Sequence, residues 1–466
     1  GVDVGDLHRR EKDGVLFVAV EKRESGGPAG AILPGIVADI IPKIPFQKRM
    51  RWGAETFEFA RPIQWLLVLF GDEPVSVTIA DVTSGATSLG HRFLSPGTVK
   101  IPHPSLYRSI LKDNHIIVDE DERLRIIREG IAAIEKAAGG KAVDDDELVK
   151  EILYITEYPH PLKGTFDESF LSLPKEVLVN VMKSHQRYIP LEDGRGNLLP
   201  AFIFFANTIP RDDTVVIRGN EKVLRARLAD ARFFFEEDLK TSLYDLQDRL
   251  STIVFHVKIG TVKEKTVRTG SVARYVASVA GYGDGEKIGK AAKLFKSDLL
   301  THMVGEFPEL QGTMGRIYAR AHGDDDDVAM AIEEHYLPAG VDGSLPRTEL
   351  GTIMSIADKL DSLAAFFSVG ITPTGNLDPY ALRRQALGLM RIVIEKGLHI
   401  PLSDAIAVVY TSGEDIKGRG SIDETSKTLK EFISTRFKFS MIEENHNQDF
   451  IEAVLPYVEE DIYDGY

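Results

Sequence analysis

The stretch Asn220-Glu221-Lys222-Val223-Leu224-Arg225-Ala226-Arg227-Leu228-Ala229-Asp230-Ala231-Arg232-Phe233-Phe234-Phe235 divides the chain. Leu224, Leu228, Ala231 and Phe235 recur at helical spacing, so the spacing predicts a helix over 219–240 with Asn220 as its N-cap. Upstream, short apolar alternations and Gly/Pro turns are interleaved with helical windows. Downstream, from about 243 to 410, nearly every window carries the helical period. The fold class is therefore α+β multidomain: an N-terminal mixed α/β region, then an all-helical domain and a helical tail. A chain of 466 residues is too long for one hydrophobic core. The expected divisions are 1–240 for the mixed region with a possible break near 150, 241–402 for the helical domain, and 403–466 for the tail.

Within the mixed region, Gly14–Val20 reads as a strand before the turn at Gly26-Gly27-Pro28, and Ile32–Ile41 as a short helix carrying Pro34. Phe57-Glu58-Phe59 alternates as a strand does, and Arg61–Phe70 reads as a buried strand ended by Gly71-Asp72. Leu124, Ile127, Ile131 and Ile134 mark a helix over 120–138, closed by Gly139-Gly140. Glu147–Ile155 reads as a helix and Leu199–Phe205 as an apolar strand. The run Asp324–Asp327 reads as a solvated loop.

Composition narrows the function classes. Lys and Arg number 56 against 71 Asp and Glu, a net charge of −15. Such a balance argues against a dedicated basic nucleic-acid binder, yet counterion release depends on local clusters rather than the sum. The absence of cysteine excludes disulfide scaffolds, zinc ribbons and thiol catalysis. Apolar runs such as Trp65–Phe70 are far shorter than a membrane span requires. No Walker loop, Rossmann fingerprint or zinc spacing is present. Residues Gly1–Val4 lack a signal-peptide pattern, and the chain starts without Met and stops at Tyr466 without a closing pattern. These ends lead to the expectation of a fragment.

Three basic clusters stand out. Lys48-Arg49-Met50-Arg51-Trp52 lies near Arg61 and Trp65; arginine forks suit phosphate and the aromatics suit base stacking. The alternative is a turn whose arginines pair with Glu55 and Glu58. Lys222, Arg225, Ala229 and Arg232 fall on one stripe of the 219–240 helix, a cationic ridge that Glu221, Asp230 and Glu236 could neutralise as i,i+4 pairs. Ser184-His185-Gln186-Arg187-Tyr188 could read RNA, or could hold a histidine satisfied in the core.

Metal-ligand candidates lie in the helical half. Asp298 and His302 are four apart and are expected on one helix face; His335 follows Glu334; Asp358 and Asp361 lie one turn apart in Ala357-Asp358-Lys359-Leu360-Asp361. This last string resembles the final motif of HD-type phosphohydrolases, which also need an adjacent His-Asp pair and an earlier histidine. The pair stands here as Ser297-Asp298, and His256 offers no partner register for the earlier histidine. The reading is an HD-like helical domain without the hydrolase site, with Asp298, His302, His335 and Asp358 as residual metal candidates. A metal-dependent phosphohydrolase acting on nucleotides or RNA is the alternative.

Longer strings, in order, resemble one family, the beta subunit of the bacterial heterotetrameric glycyl-tRNA synthetase. They are Lys48–Gly53, Arg61–Trp65, Gly90-His91-Arg92-Phe93-Leu94, Leu173–Leu178, Met182–Tyr188, Arg218–Phe234, Met303–Gly315, Glu334–Pro338 and Pro373–Gly388. The resemblance implies an α2β2 assembly in the cytoplasm. Its alpha subunit activates glycine with ATP and Mg, and its beta subunit binds tRNA-Gly without a complete catalytic site of its own. It also implies that the beginning of the subunit and a C-terminal anticodon-binding domain lie outside this chain. Lys48, Arg49, Arg51, Arg187, Lys222, Arg225 and Arg232 become candidate tRNA contacts. A scaffold that only supports the alpha subunit is a further alternative.

Overall fold

A computed structural model describes every residue except 1–4, 6, 13–14, 21–25, 55, 341, 376 and 414–415. Helix accounts for 56% of the described residues and the strands are short, so the α+β, multidomain reading stands with helix dominant. The chain separates into two compact units, residues 1–163 with 203–217, and residues 164–202 with 218–466.

The first unit opens with an antiparallel hairpin of β1 (Leu7–Lys12) and β2 (Val15–Val20), in register Leu7↔Val20 through Lys12↔Val15. The sequence expectation of a strand to Val20 holds, with Gly14 outside the described residues. Helix α1 (Ala29–Ile40) carries Pro34 as expected and buries none of its residues. The expected strand Arg61–Phe70 is not formed as one strand; Leu69–Phe70 pairs with Glu73–Pro74 and Leu67 makes an isolated bridge to Gly85. Its backbone is instead drawn to separate partners, Leu66 O accepting from Gly85 N and Val68 O from Val75 N. Ile63, Leu66 and Val68 pack on a small cluster of Val75, Val77 and Ile79. Phe57-Glu58-Phe59 likewise contributes one bridge, Met50↔Phe59. Helix α2 (Glu120–Ala138) matches its sequence bounds: Asp119 caps the first turn and Gly139 closes the last in the left-handed conformation, φ 68°. Helix α3 (Asp146–Ile155) is capped by Asp145 and buries Leu148, Val149, Ile152 and Leu153.

In the second unit, α4 (Lys175–Gln186) precedes the buried strand Ile189–Glu192. Helix α5 (Asp213–Asp238) begins six residues earlier than the 219–240 reading, in the first unit's segment. Gly219 and Asn220 are poor helix formers, which made them look like a boundary. Asp212 accepts from Thr214 N and Oγ1 at the helix start, and Asn220 lies inside.

From α6 (Val262–Ala280) onward the unit is all helical. At its centre runs α7 (Glu349–Ser368), capped by Thr348 and buried from Leu350 to Ser368. Around it pack α6, Asp326–Glu334, α8 (Leu382–Lys396), Leu402–Ser412 and Ile422–Glu443. A helix sheathed on all sides has to be apolar or internally paired. Helix α7 carries Asp358, Lys359 and Asp361, so its partners decide the site. The acidic run 324–327 is no free loop: Asp325 caps the helix Asp326–Glu334, and Lys287 pairs with Asp325 and Asp327. No helix among the described residues is long and apolar enough to cross a membrane.

Candidate functional site

Helix α5 presents the ridge. Leu224, Leu228 and Ala231 are buried, and the buried carboxylate of Asp238 at its end accepts from His302 N, Met303 N and the Tyr318 hydroxyl at 2.8–3.0 Å. These anchors fix the rotation of the helix and leave Lys222 and Arg225 exposed. Arg232 lies over the Phe170 ring, 4.6 Å from its centroid, and reaches Ser169 Oγ. The i,i+4 neutralisation considered for the ridge is not formed by Glu221, which accepts from Thr165 N and Oγ1 at 2.8 Å. Arg227, off the stripe, pairs with Glu306 at 3.5 Å. The nearby Asp167 carboxyl is held below its ordinary range, chiefly by bonds from Ser169, with Arg232 and Arg225 adding to the effect.

Arg187 is exposed at the end of α4. It terminates α4 in the left-handed conformation, φ 56°, and donates to Ser184 O at 3.0 Å. Its neighbour Tyr188 is buried, stacks on Phe202 at 4.5 Å, and donates its hydroxyl to Asn220 Oδ1 at 2.6 Å. That bond ties the turn to α5 two residues before Lys222. His185 packs edge-on against Phe307.

The Lys48–Trp52 knot belongs to the first unit. There Arg51 pairs with Glu58 at 2.7 Å, as the structural alternative held, while Glu55 lies outside the described residues. Arg49 donates to the Ile44 and Pro42 carbonyls, and Trp52 packs against Phe57. Lys48 is exposed. Arg49 and Arg51 thus have local structural work that Lys222 and Arg225 lack.

The helical core holds a second, buried constellation. Asp361 is fully buried and accepts from Arg268 Nε at 2.8 Å and Lys265 Nζ at 2.9 Å, both from α6. Lys265 also meets Asp358 at 2.9 Å. Lys296 Nζ stands 2.8 Å from His335 Nε2 and 3.6 Å from Asp358, above the face of Tyr336 at 4.0 Å. Lys359 donates to Leu337 O and Ser355 Oγ at 2.7 Å. Burial works against the Lys265 ammonium, but Asp358 and Asp361 outweigh it and hold its pKa above the ordinary value. For Lys296 burial wins and the pKa falls; Lys359 is lowered by burial to about 8. Burial and the Lys296 charge hold His335 far below its usual value, hence neutral. Burial also raises the Asp298 carboxyl to about 6.

The expectation that Asp298 and His302 share a helix face fails. Asp298 lies in a short 3-10 turn, Ser297–Leu300, and Thr301 in extended conformation separates it from the helix His302–Glu306. Asp298 accepts from Gly312 N, while the His302 ring stacks towards Phe234. His335 and Asp358 do face a common point, and the Lys296 ammonium stands there. Among the described residues the four candidates form no group of three converging metal donors. A donor set with an ammonium between its histidine and carboxylate does not fit a divalent ion.

The sequence reading missed Lys265, Arg268, Lys296, Lys359 and Tyr336. A signal existed: Lys265 and Arg268 repeat at the three-residue spacing of Asp358 and Asp361, and α7 is too apolar to face water and needs cations to answer its carboxylates.

Comparison with known proteins extends over nearly the whole chain. The family model for the glycyl-tRNA synthetase beta subunit matches residues 1–456. The glycine–tRNA ligase beta subunit of Syntrophus aciditrophicus is 42% identical over 455 residues, covering 98% of this chain and 66% of that protein. That of Syntrophomonas wolfei is 39% identical over 466 residues, 100% of this chain and 68% of its own length. That of Myxococcus xanthus is 42% identical over 444 residues, 94% and 63% respectively. The chain thus spans about two thirds of the length of these relatives. On this match the chain belongs to the glycyl-tRNA synthetase beta subunit family.

Proposed function

We propose that this chain is the tRNA-binding, non-catalytic part of a glycine–tRNA ligase, working with an alpha subunit that charges tRNA-Gly with glycine from ATP and Mg. The family match supports the ligase role. The observation that carries RNA contact is the α5 ridge, where Lys222 and Arg225 are exposed, half-buried Arg232 lies over Phe170 on the same stripe, and Glu221 is engaged with Thr165. Arg187, exposed at the end of α4, is a further proposed contact. RNA duplexes are bound through phosphate and 2′-OH contacts over broad surfaces, which a cationic helix face with a stacked arginine suits. The helical region 241–402 is read as HD-like in arrangement, with lysines in place of metal chemistry. The Lys296 ammonium between His335 and Asp358 weighs against the metal-dependent phosphohydrolase reading.

The test is tRNA-Gly binding as a function of salt, with and without the alpha subunit. Each lost phosphate contact lowers the log–log slope by about 0.7–0.9, so Arg225→Ala with Arg232→Ala should flatten it by about 1.5. An unchanged slope in a folded variant rejects the ridge. Binding that is insensitive to the ridge and appears only with the alpha subunit would favour the scaffold reading.

A further inference from the structure

The geometry points to a binding site for a mononucleotide, a small ligand joining a phosphate to an aromatic base, in the cavity between α6, α7 and the start of α8. The cavity measures about 450 Å³, within the usual span of small-ligand pockets. Its wall holds four cations, Lys265, Lys296, Lys359 and Arg384, against one carboxylate, Asp358. Asp361 lies behind Lys265 and is already engaged by Arg268. The wall therefore carries an uncompensated positive charge in a partly desolvated space, where an anion gains most. Burial lowers the pKa of Lys296 and of Lys359, so an entering anion stabilises their charged forms.

The cations differ in role. Lys265, Lys296 and Lys359 are held in place by the contacts described above, which preorganises them. Arg384, in the first turn of α8, is exposed, and no side-chain partner holds it among the described residues. A guanidinium at the mouth with fixed ammoniums inside is an arrangement for a tetrahedral dianion rather than a single carboxylate. The same wall contributes Phe255, Tyr336 and Tyr380. Tyr380 is braced by parallel stacking on Phe366 at 4.3 Å, and it is 36% exposed. A rigid ring beside a phosphate-seeking arginine suits a nucleobase. Gln311 and Gln385 supply amide groups at the same wall for base or ribose edges. The inference stands apart from the tRNA reading, since no residue of the α5 ridge lines this cavity.

The experiment is calorimetric titration of the intact chain with AMP, GMP, CMP and UMP separately, with inorganic phosphate and the matching nucleosides alongside. The expected result is one-to-one binding of at least one mononucleotide, tighter than phosphate or nucleoside alone. Arg384→Ala should weaken it by about tenfold, and Arg384→Glu further. Because Arg384 is exposed, both variants should keep the parent melting profile, which makes them safer probes than Lys359→Met. Absence of saturable binding at millimolar concentrations overturns the inference, as does binding indifferent to both Arg384 variants. Phosphate binding as tight as any nucleotide overturns the mononucleotide assignment.

Discussion

Asp361→Asn keeps the shape of the side chain and removes its charge, which makes it a direct probe of the core. Asp361 is fully buried between Arg268 at 2.8 Å and Lys265 at 2.9 Å. At an effective dielectric of about 20, each contact is a Coulomb interaction of about 6 kcal/mol before desolvation is counted. Lys265 keeps Asp358 at 2.9 Å after the substitution, so its charge is still answered. Arg268 keeps the Ile259 carbonyl at 3.3 Å and at most a neutral amide oxygen from the new side chain, and becomes a buried cation, 3% of its side chain exposed, without the carboxylate that answered it. Breaking a buried pair from one side costs about 3–5 kcal/mol; with one of the two cations still paired, about 3 kcal/mol is expected. For a unit of this size that is a fall of about 6 °C in melting temperature. Urea unfolding followed by far-UV circular dichroism, with calorimetry beside it, measures both quantities. Adding Arg268→Met to Asp361→Asn removes the stranded charge and should return part of the loss. A cost below about 1 kcal/mol, or no recovery in the double variant, would refute the argument that charge pairing secures α7.

Two further stability predictions rest on the same core. Burial lifts the Asp298 carboxyl to about 6, from 3.8, so between these values the folded protein holds a proton that the unfolded chain has released. Stability therefore falls as pH rises through that window, by about 3 kcal/mol. Asp298→Asn should stabilise by a similar amount at pH about 7 and by almost nothing near pH 4; paired urea melts at the two pH values decide it, and a loss at neutral pH would contradict it. Gly351 faces the carboxylate of Glu334, which accepts from Arg347 N, Thr348 N and Thr348 Oγ1 at the start of α7. A Cβ there would overlap that carboxylate, so Gly351→Ala should cost about 2 kcal/mol net despite the better helix propensity of alanine, read as a lower thermal midpoint.

Periodicity made the long helices legible because each has one dry face and a clear cap. Helix α2 was readable to the residue because Asp119 and Gly139 bracket an uninterrupted stripe. Arg61–Phe70 misled for the opposite reason: an apolar run announces burial but not the partner strand, and here its carbonyls are shared between Val75 and Gly85. The α5 start was misplaced because Gly219 and Asn220 mimic a boundary, although Asn220 serves as an acceptor for Tyr188 from within the helix. The cationic stripe could be read from helical spacing alone. Whether it was neutralised could not, because the competing partner of Glu221 is Thr165, far away in sequence. The buried constellation was legible by halves. Asp358, Asp361 and His335 were visible as candidate donors, but the groups answering them come from α6 and from Lys296.

The contact between Lys296, His335 and Asp358 bears on how such a core can change its chemistry. A divalent cation beside a histidine and a carboxylate neutralises them and also offers open positions on which water can be activated. An ammonium supplies the neutralising charge and three donors, but no open position and no Lewis acidity. Lys296 leaves the imidazole neutral and hydrogen-bonded, with Asp358 held as an anion by Lys265 and Lys296 despite its burial. The helices can thus keep the charge balance that lets α7 run through the interior with an ammonium, rather than a group that activates water, between His335 and Asp358. On the proposal above, the cavity is a preorganised cationic site for an anion. The same reasoning separates two classes of variant. Substitutions at Lys265, Arg268 and Asp361 should register first in stability, whereas substitutions at Arg384 should register in ligand affinity alone, because only Arg384 lies at the mouth and outside the internal pairing.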